Sequence, residues 1–193
     1  LPLPGDCSQL NIKDQFRDDF RKEYKIPGNS KIFLHTGQLP QEKKTELVLN
    51  LFLQEELKDH FLIIAGSASD NFKSTIEEYS KRNNKIIYMG WCNPATLENL
   101  LLSCDILIQP GSLSQIFISG ICHGLVVILN NTKQGQDLTR DNNGVLINNQ
   151  CPEDFLRGTK EVLKNFENFK NNTIIAAKRL DYRTVAKLSL NIK

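Results

Sequence analysis

The chain has 193 residues, 40% of them hydrophobic, with 24 basic against 22 acidic side chains. That length suits one domain, or a core domain with a helical appendage, and the near-neutral balance removes the electrostatic case for a nucleic-acid partner. The longest apolar runs, such as 61–65 and 126–129, are strand-length, far below the roughly 20 residues that span a bilayer.

The chain opens Leu1-Pro2-Leu3-Pro4-Gly5-Asp6, with neither Met nor a basic region before an apolar core. It is expected to be a piece of a longer protein that begins in a Pro-containing linker. Phe16 and Phe20, four apart among charges, predict an amphipathic helix over 14–25, closed by Ile26-Pro27-Gly28-Asn29. A strand is predicted at 31–35, a loop at 36–40 and a helix at 41–57 with Leu47 and Leu51 inward. Strands at 61–65 and 85–89 flank an amphipathic helix at 71–83 that carries Phe72, Ile76 and Tyr79 on one side. A Leu-rich helix at 94–103, a strand at 105–109, a helix at 114–123 and a strand at 126–129 follow. Residues 130–143 read as a polar loop, 144–147 as a sixth strand, and 152–166 and 172–190 as closing helices. The division expected is a linker and lead-in helix over 1–30, an α/β domain over 31–170 and a helical tail over 171–193.

The five cysteines, Cys7, Cys92, Cys104, Cys122 and Cys151, are scattered singly without C-x-x-C. They read as reduced thiols in a cytoplasmic protein. His35, His60 and His123 are too dispersed for metal-ligand spacing, so no metal is expected.

Strands and helices alternate through short loops, and continuous apolar strands are covered on both faces. The pattern predicts an α/β fold, a three-layer, doubly wound (Rossmann-like) parallel sheet. Right-handed crossovers then bring Gly37, Gly66, Gly90 and Gly111 to one rim, the carboxyl edge. Gly111, Ser112, Ser114 and Gln115 open a helix there, where unpaired N–H groups favour phosphate. Capping and turning alone would explain the same residues. Gly37 likewise fits an ordinary turn, and Lys43 with Lys44 fits a solvated helix face. Neither G-x-G-x-x-G after the first strand nor G-x-x-x-x-G-K-[ST] occurs, which disfavours dinucleotide and P-loop enzymes. A G-x-S-x-G elbow is also missing.

Taken in order, "KIFLHTGQLPQEKKTELVLNLF", "FLIIAGS", "KIIYMGWCNPATLENLLLSCDILIQPGS", "SGICHGLVVI" and "NNGVLI" resemble the nucleotide-sugar-binding half of GT-B glycosyltransferases of group 1. The resemblance covers roughly residues 20–165. It implies one half of a GT-B architecture: a donor-binding domain whose nucleoside-diphosphate sugar lies against the carboxyl edge. It also implies an N-terminal domain of the same protein that holds a sugar or lipid-linked glycan acceptor. Polysaccharide biosynthesis and peripheral association of the full-length protein with the inner membrane face follow from the same resemblance.

Carried over by position, Gly37 falls on the family's glycine and Lys43 on its diphosphate-pairing lysine. Gly90, Trp91 and Cys92 fall on the loop flanking the base, and Gly66 on the second glycine turn. Gln38 stands where the family usually has Arg, and Ser119 where it has a glutamate facing the donor. The turn after Pro110 is about three residues shorter than the family pattern, and Val126 replaces its Pro. No D-x-D-like motif lies near the phosphate loops, so the transfer is expected to need neither metal nor cofactor. No catalytic base is assigned in this chain. Two rival readings stay open: a non-hydrolysing nucleotide-sugar epimerase, which would need an acidic and histidine cluster, and a non-catalytic sugar-nucleotide-binding or partner-docking module.

Overall fold

The computed structural model describes residues 4–39, 44–112 and 114–191. In chain order the elements are α1 (Lys13–Glu23), β1 (Ile32–Thr36), α2 (Thr45–Leu51), β2 (Phe61–Ala65), α3 (Asp70–Arg82), β3 (Ile86–Gly90), α4 (Pro94–Ser103) and β4 (Ile106–Gln109). Then follow α5 (Ile116–Cys122), β5 (Val126–Asn130), α6 (Lys133–Leu138), β6 (Gly144–Ile147), α7 (Pro152–Lys164), α8 (Phe166–Leu180) and α9 (Tyr182–Asn191). The six strands form one all-parallel sheet in the order β3-β2-β1-β4-β5-β6. The winding reverses between β1 and β4, which makes that pair the topological switch point. The three-layer, doubly wound sheet expected from the alternation is the one observed.

The two-residue period of a strand explains the apolar runs. Ile32, Leu34, Ile63, Leu107, Val127 and Leu129 face one core, with α4, α5 and α8 supplying Leu100, Phe117, Ile121, Ala177 and Leu180. Phe33, Leu62, Ile64, Ile106, Ile108, Val126 and Ile128 face the other, against Val48, Leu49, Ile76, Phe155 and Val162 from α2, α3 and α7. Phe33 meets Phe52 edge-on at 5.1 Å between ring centres. Only the edge strands β3 and β6 are partly open.

Strand ends carry the polar chemistry. At the amino edge, Asp105 precedes β4 and is buried. Its Oδ2 accepts from Ile32 N–H at 2.9 Å and from Arg21 at 2.9 Å, and its Oδ1 pairs with Arg17 Nε at 3.0 Å. Arg21 also donates to the carbonyls of Pro27 and Ser30, both at 2.8 Å. Lys13 Nζ donates to Leu101 O at 3.2 Å and Cys104 O at 2.8 Å. One face of α1 is thus bolted across α4 and the start of β4.

Each departure from the sequence expectation has a physical cause. The polar loop at 130–143 contains α6, capped by Thr132 Oγ1, which accepts from Gly135 N–H at 3.1 Å. The helix expected at 41–57 is described as α2 followed by a 3-10 turn at Glu55–Leu57, residues 40–43 lying outside the described chain. The single helix expected at 172–190 is two. Asp181 is extended (φ −58°, ψ 131°), and its carboxylate takes the backbone N–H and the guanidinium of Arg183. Gly5 pairs there, donating to Leu180 O at 2.8 Å and accepting from Tyr182 N–H at 2.9 Å. The expected boundary at residue 171 falls inside α8, whose Ala176, Ala177 and Leu180 are in the core.

Asp105→Ala should cost about 3–5 kcal/mol in urea denaturation, because it strands two guanidinium groups and a strand N–H in a dry site. Adding Arg21→Met should recover part of that loss; a loss below about 1 kcal/mol for the single variant would rule out the hub role. Burial pushes the Lys13 ammonium down to about 8 from its usual 10.5, against the favourable pull of Asp105. Between those two values the unfolded chain binds a proton that the folded one does not, so stability rises with pH across this window. The stability difference between the wild-type chain and Lys13→Met should therefore grow in favour of the wild type from pH 7 to pH 10. A flat difference would show that Lys13 titrates normally.

Candidate functional site

Strands β1, β2 and β3 all end in glycine at the carboxyl edge. Gly37, Gly66 and Gly90 have positive φ of 131°, 153° and 68°. Their backbones interlock: Gly37 N–H donates to Ala65 O at 3.1 Å, Gly66 N–H to Gly90 O at 2.7 Å and Leu39 N–H to Ser67 O at 2.9 Å. A Cβ on Gly66 would lie 1.8 Å from the Gly37 carbonyl oxygen, so the two turns meet only because Gly66 has no side chain. Tyr88 Oη ties in from the edge strand, donating to Gly66 O at 3.0 Å.

Above this interlock lies a cavity of about 210 Å³ lined by Thr36, Gly37, Gln38, Ala65, Gly66, Ser67, Trp91, Cys92 and Leu97. Trp91 is 70% exposed and offers an open indole face beside it. Such a face stacks planar rings. Burial pushes the Cys92 thiol up from its usual value, away from the thiolate form. Gln38 and Ser67 also line a second cleft of about 540 Å³ that runs along the start of α3, past Ser69, Asn71, Phe72 and Thr75.

Across the switch point, β4 ends in Gln109, which is buried. Its Nε2 donates to Thr36 O at 2.7 Å, joining the ends of β4 and β1, while its Oε1 has no partner. One residue further, Pro110 O accepts from Asn149 Nδ2 at 2.7 Å. Gly111 is buried, Ser112 exposed and Ser114 half-buried. The first residue flanking α5 is Gln115, in helical conformation, and no side chain caps the helix. Ser114 gives its backbone carbonyl to Phe117 N–H at 3.2 Å. Gln115 is exposed and reaches the N-terminal segment instead, donating to Pro4 O at 3.3 Å. Ser119 lies within α5, where its carbonyl accepts from His123 Nδ1 at 2.7 Å.

The expected residues therefore form two groups on one edge. Gly37, Gln38, Gly66 and Trp91 line one cavity, with Gly90 hydrogen-bonded at its margin. Gly111, Ser112, Ser114 and Gln115 follow the neighbouring strand. Ser119 is in neither cavity lining. Lys43 lies outside the described residues. Sequence reasoning missed Gln109, Asn149 and the buried His35. His35 bridges Ile108 O at 2.8 Å and Thr45 Oγ1 at 2.9 Å, locking the start of α2 beneath the edge. A carbonyl only accepts, so Nδ1 carries the proton toward Ile108. The available signal was a polar side chain at each end of an otherwise apolar strand. Among the described residues no group of three or more His, Cys, Asp or Glu side chains could hold a metal ion.

Residues 16–180 match the family model for glycosyl transferases group 1. An uncharacterised glycosyltransferase of Methanocaldococcus jannaschii is 21% identical over 196 residues, which cover 95% of this chain and 50% of that protein. Among solved structures, WaaG, a glycosyltransferase involved in lipopolysaccharide biosynthesis, superposes with a TM-score of 0.73 at 16% identity over 93% of this chain and 51% of its own. Anabaena HepE, solved in complex with UDP and glucose, gives 0.73 at 14% identity over 98% and 55%. These likenesses are of fold. The chain spans about half the length of the relatives it matches.

Gly66→Ala should destabilise the chain by about 2–4 kcal/mol, from strain at positive φ and the clash with Gly37. Gly28→Ala, with nothing within 4 Å of the added Cβ, is the control and should stay within about 0.5 kcal/mol. Equal effects in thermal unfolding would refute the interlock.

Proposed function

The chain belongs to the glycosyl transferases group 1 family, and from that membership we propose that it is the donor-binding half of a glycosyltransferase, taking a nucleoside-diphosphate sugar at its carboxyl edge. One observation carries the reading: four glycine-bearing strand ends lie on one edge of a parallel sheet, around the switch point, where ligands of such sheets bind. Trp91 and the cavity beside it suit a nucleobase. The turn from Pro110 to Gln115 suits the diphosphate, with Lys43 as its facing cation. HepE, in complex with UDP and glucose, supports a donor of that class.

Sugar transfer needs a stabilised leaving nucleoside diphosphate. Backbone N–H groups and a cation aimed at the departing phosphate supply that stabilisation. Gln38 carries no charge, so more of the task falls to the turn and Lys43. The proposed acceptor is a sugar or lipid-linked glycan on a preceding domain, which would also hold any catalytic base. The isolated chain is then a binder without transfer activity, metal-independent in its donor contacts. No helix among the described residues is long and apolar enough to cross a membrane. Membrane contact of the full-length protein would be peripheral, at the cytoplasmic face.

Calorimetric titration of the chain with UDP, GDP and ADP tests the reading, which fails if none binds. Lys43→Ala should weaken diphosphate binding more than nucleoside binding, since only the phosphates carry the charge it pairs with. Trp91→Ala should weaken both by about 1–2 kcal/mol, the scale of base stacking. Ser114→Ala should leave stability within about 0.5 kcal/mol, because it caps nothing, and reduce diphosphate affinity. Equal losses of nucleoside and diphosphate in Lys43→Ala would remove that lysine from the phosphate.

A further inference from the structure

We propose that Asn149 is a positioning residue for the turn from Pro110 to Gln115, fixing where its backbone N–H groups face at the carboxyl edge. The inference rests on the donor-binding reading above. Pro110 has no N–H to give to the sheet, and α5 has no side-chain cap. Asn149, from the loop between β6 and α7, supplies a short bond to the turn's first carbonyl, 2.7 Å from Nδ2 to Pro110 O.

Asn149 is itself held. Its backbone N–H donates to Asn130 Oδ1 at 3.4 Å, and its Oδ1 accepts from Gln150 Nε2 at 2.9 Å. With Oδ1 occupied by a donor, the amide can present only Nδ2 to Pro110. Asn149 thus ties the end of β4, through its side chain, and the end of β5, through its backbone N–H, to the loop after β6. Its neighbour in space, Gln109, does the same between β4 and β1. Along the turn Gly111 is buried, Ser112 exposed and Ser114 half-buried.

Asn149→Asp is nearly isosteric but sets a carboxylate oxygen against a carbonyl oxygen. Asn149→Gln keeps the donor. The test is titration with UDP, GDP and ADP and their nucleosides, with amide hydrogen exchange of residues 111–115 in the ligand-free chain. Asn149→Asp should raise the diphosphate Kd about tenfold and the nucleoside Kd less than about threefold, and should speed exchange in the turn. Asn149→Gln should recover most of both, which a loss of general stability would not. If Asn149→Asp fails to fold, Asn149→Ala takes its place with the same expectation. Equal losses for nucleoside and diphosphate, or exchange and affinity both unchanged, would overturn the proposal. If the wild-type chain binds no diphosphate, the donor-binding reading falls, and exchange in the turn alone decides whether Asn149 positions it.

Discussion

Burial of the four inner strands on both faces constrains everything else in this molecule. Between two apolar layers a polar side chain has no water to bond, and leaving it unpaired costs on the order of 1–3 kcal/mol. Polar chemistry is therefore confined to the two edges, where strand ends leave the layers. The amino edge is used for structure: Asp105 gathers a strand N–H and two guanidinium groups and draws α1 across α4. The carboxyl edge is left to glycine turns, hydroxyls and carboxamides. The molecule thus has one end locked by buried charge and one end built on glycine turns and carboxamides.

The carboxyl edge is itself divided. Backbone interlock among Gly37, Gly66 and Gly90 makes one rigid floor, with Trp91 above it. Carboxamides from Gln109 and Asn149 hold the other side, where the turn before α5 has no cap of its own. A cavity lined by Thr36, Gln38, Ser67, Trp91 and Leu97 thus lies on the same edge as the turn before α5.

The N-terminal segment meets both α5 and the break between α8 and α9. Gly5 pairs into the break between α8 and α9, and Pro4 receives the Gln115 side chain. Cys7 donates to Ala177 O at 3.2 Å, against the helix that packs on α5.

Period, turn residues and caps by themselves determined the alternation of strands and helices, the parallel sheet and the convergence of Gly37, Gly66, Gly90 and Gly111 on one rim. These signals are local, each carried within a few residues. The motif order also pointed to the family that residues 16–180 match. Only the tertiary structure decided which side chains meet. The Asp105 hub joins residues 73 and 84 positions apart, and Asn149 reaches Pro110 across 39. The break at Asp181 was invisible because its cause, Gly5, lies at the other end of the chain. The missing cap on α5 and the turning of Gln115 toward Pro4 were hidden for the same reason. A hydrogen bond depends on distance in space, and sequence spacing fixes that distance only within an element, not between elements that packing brings together.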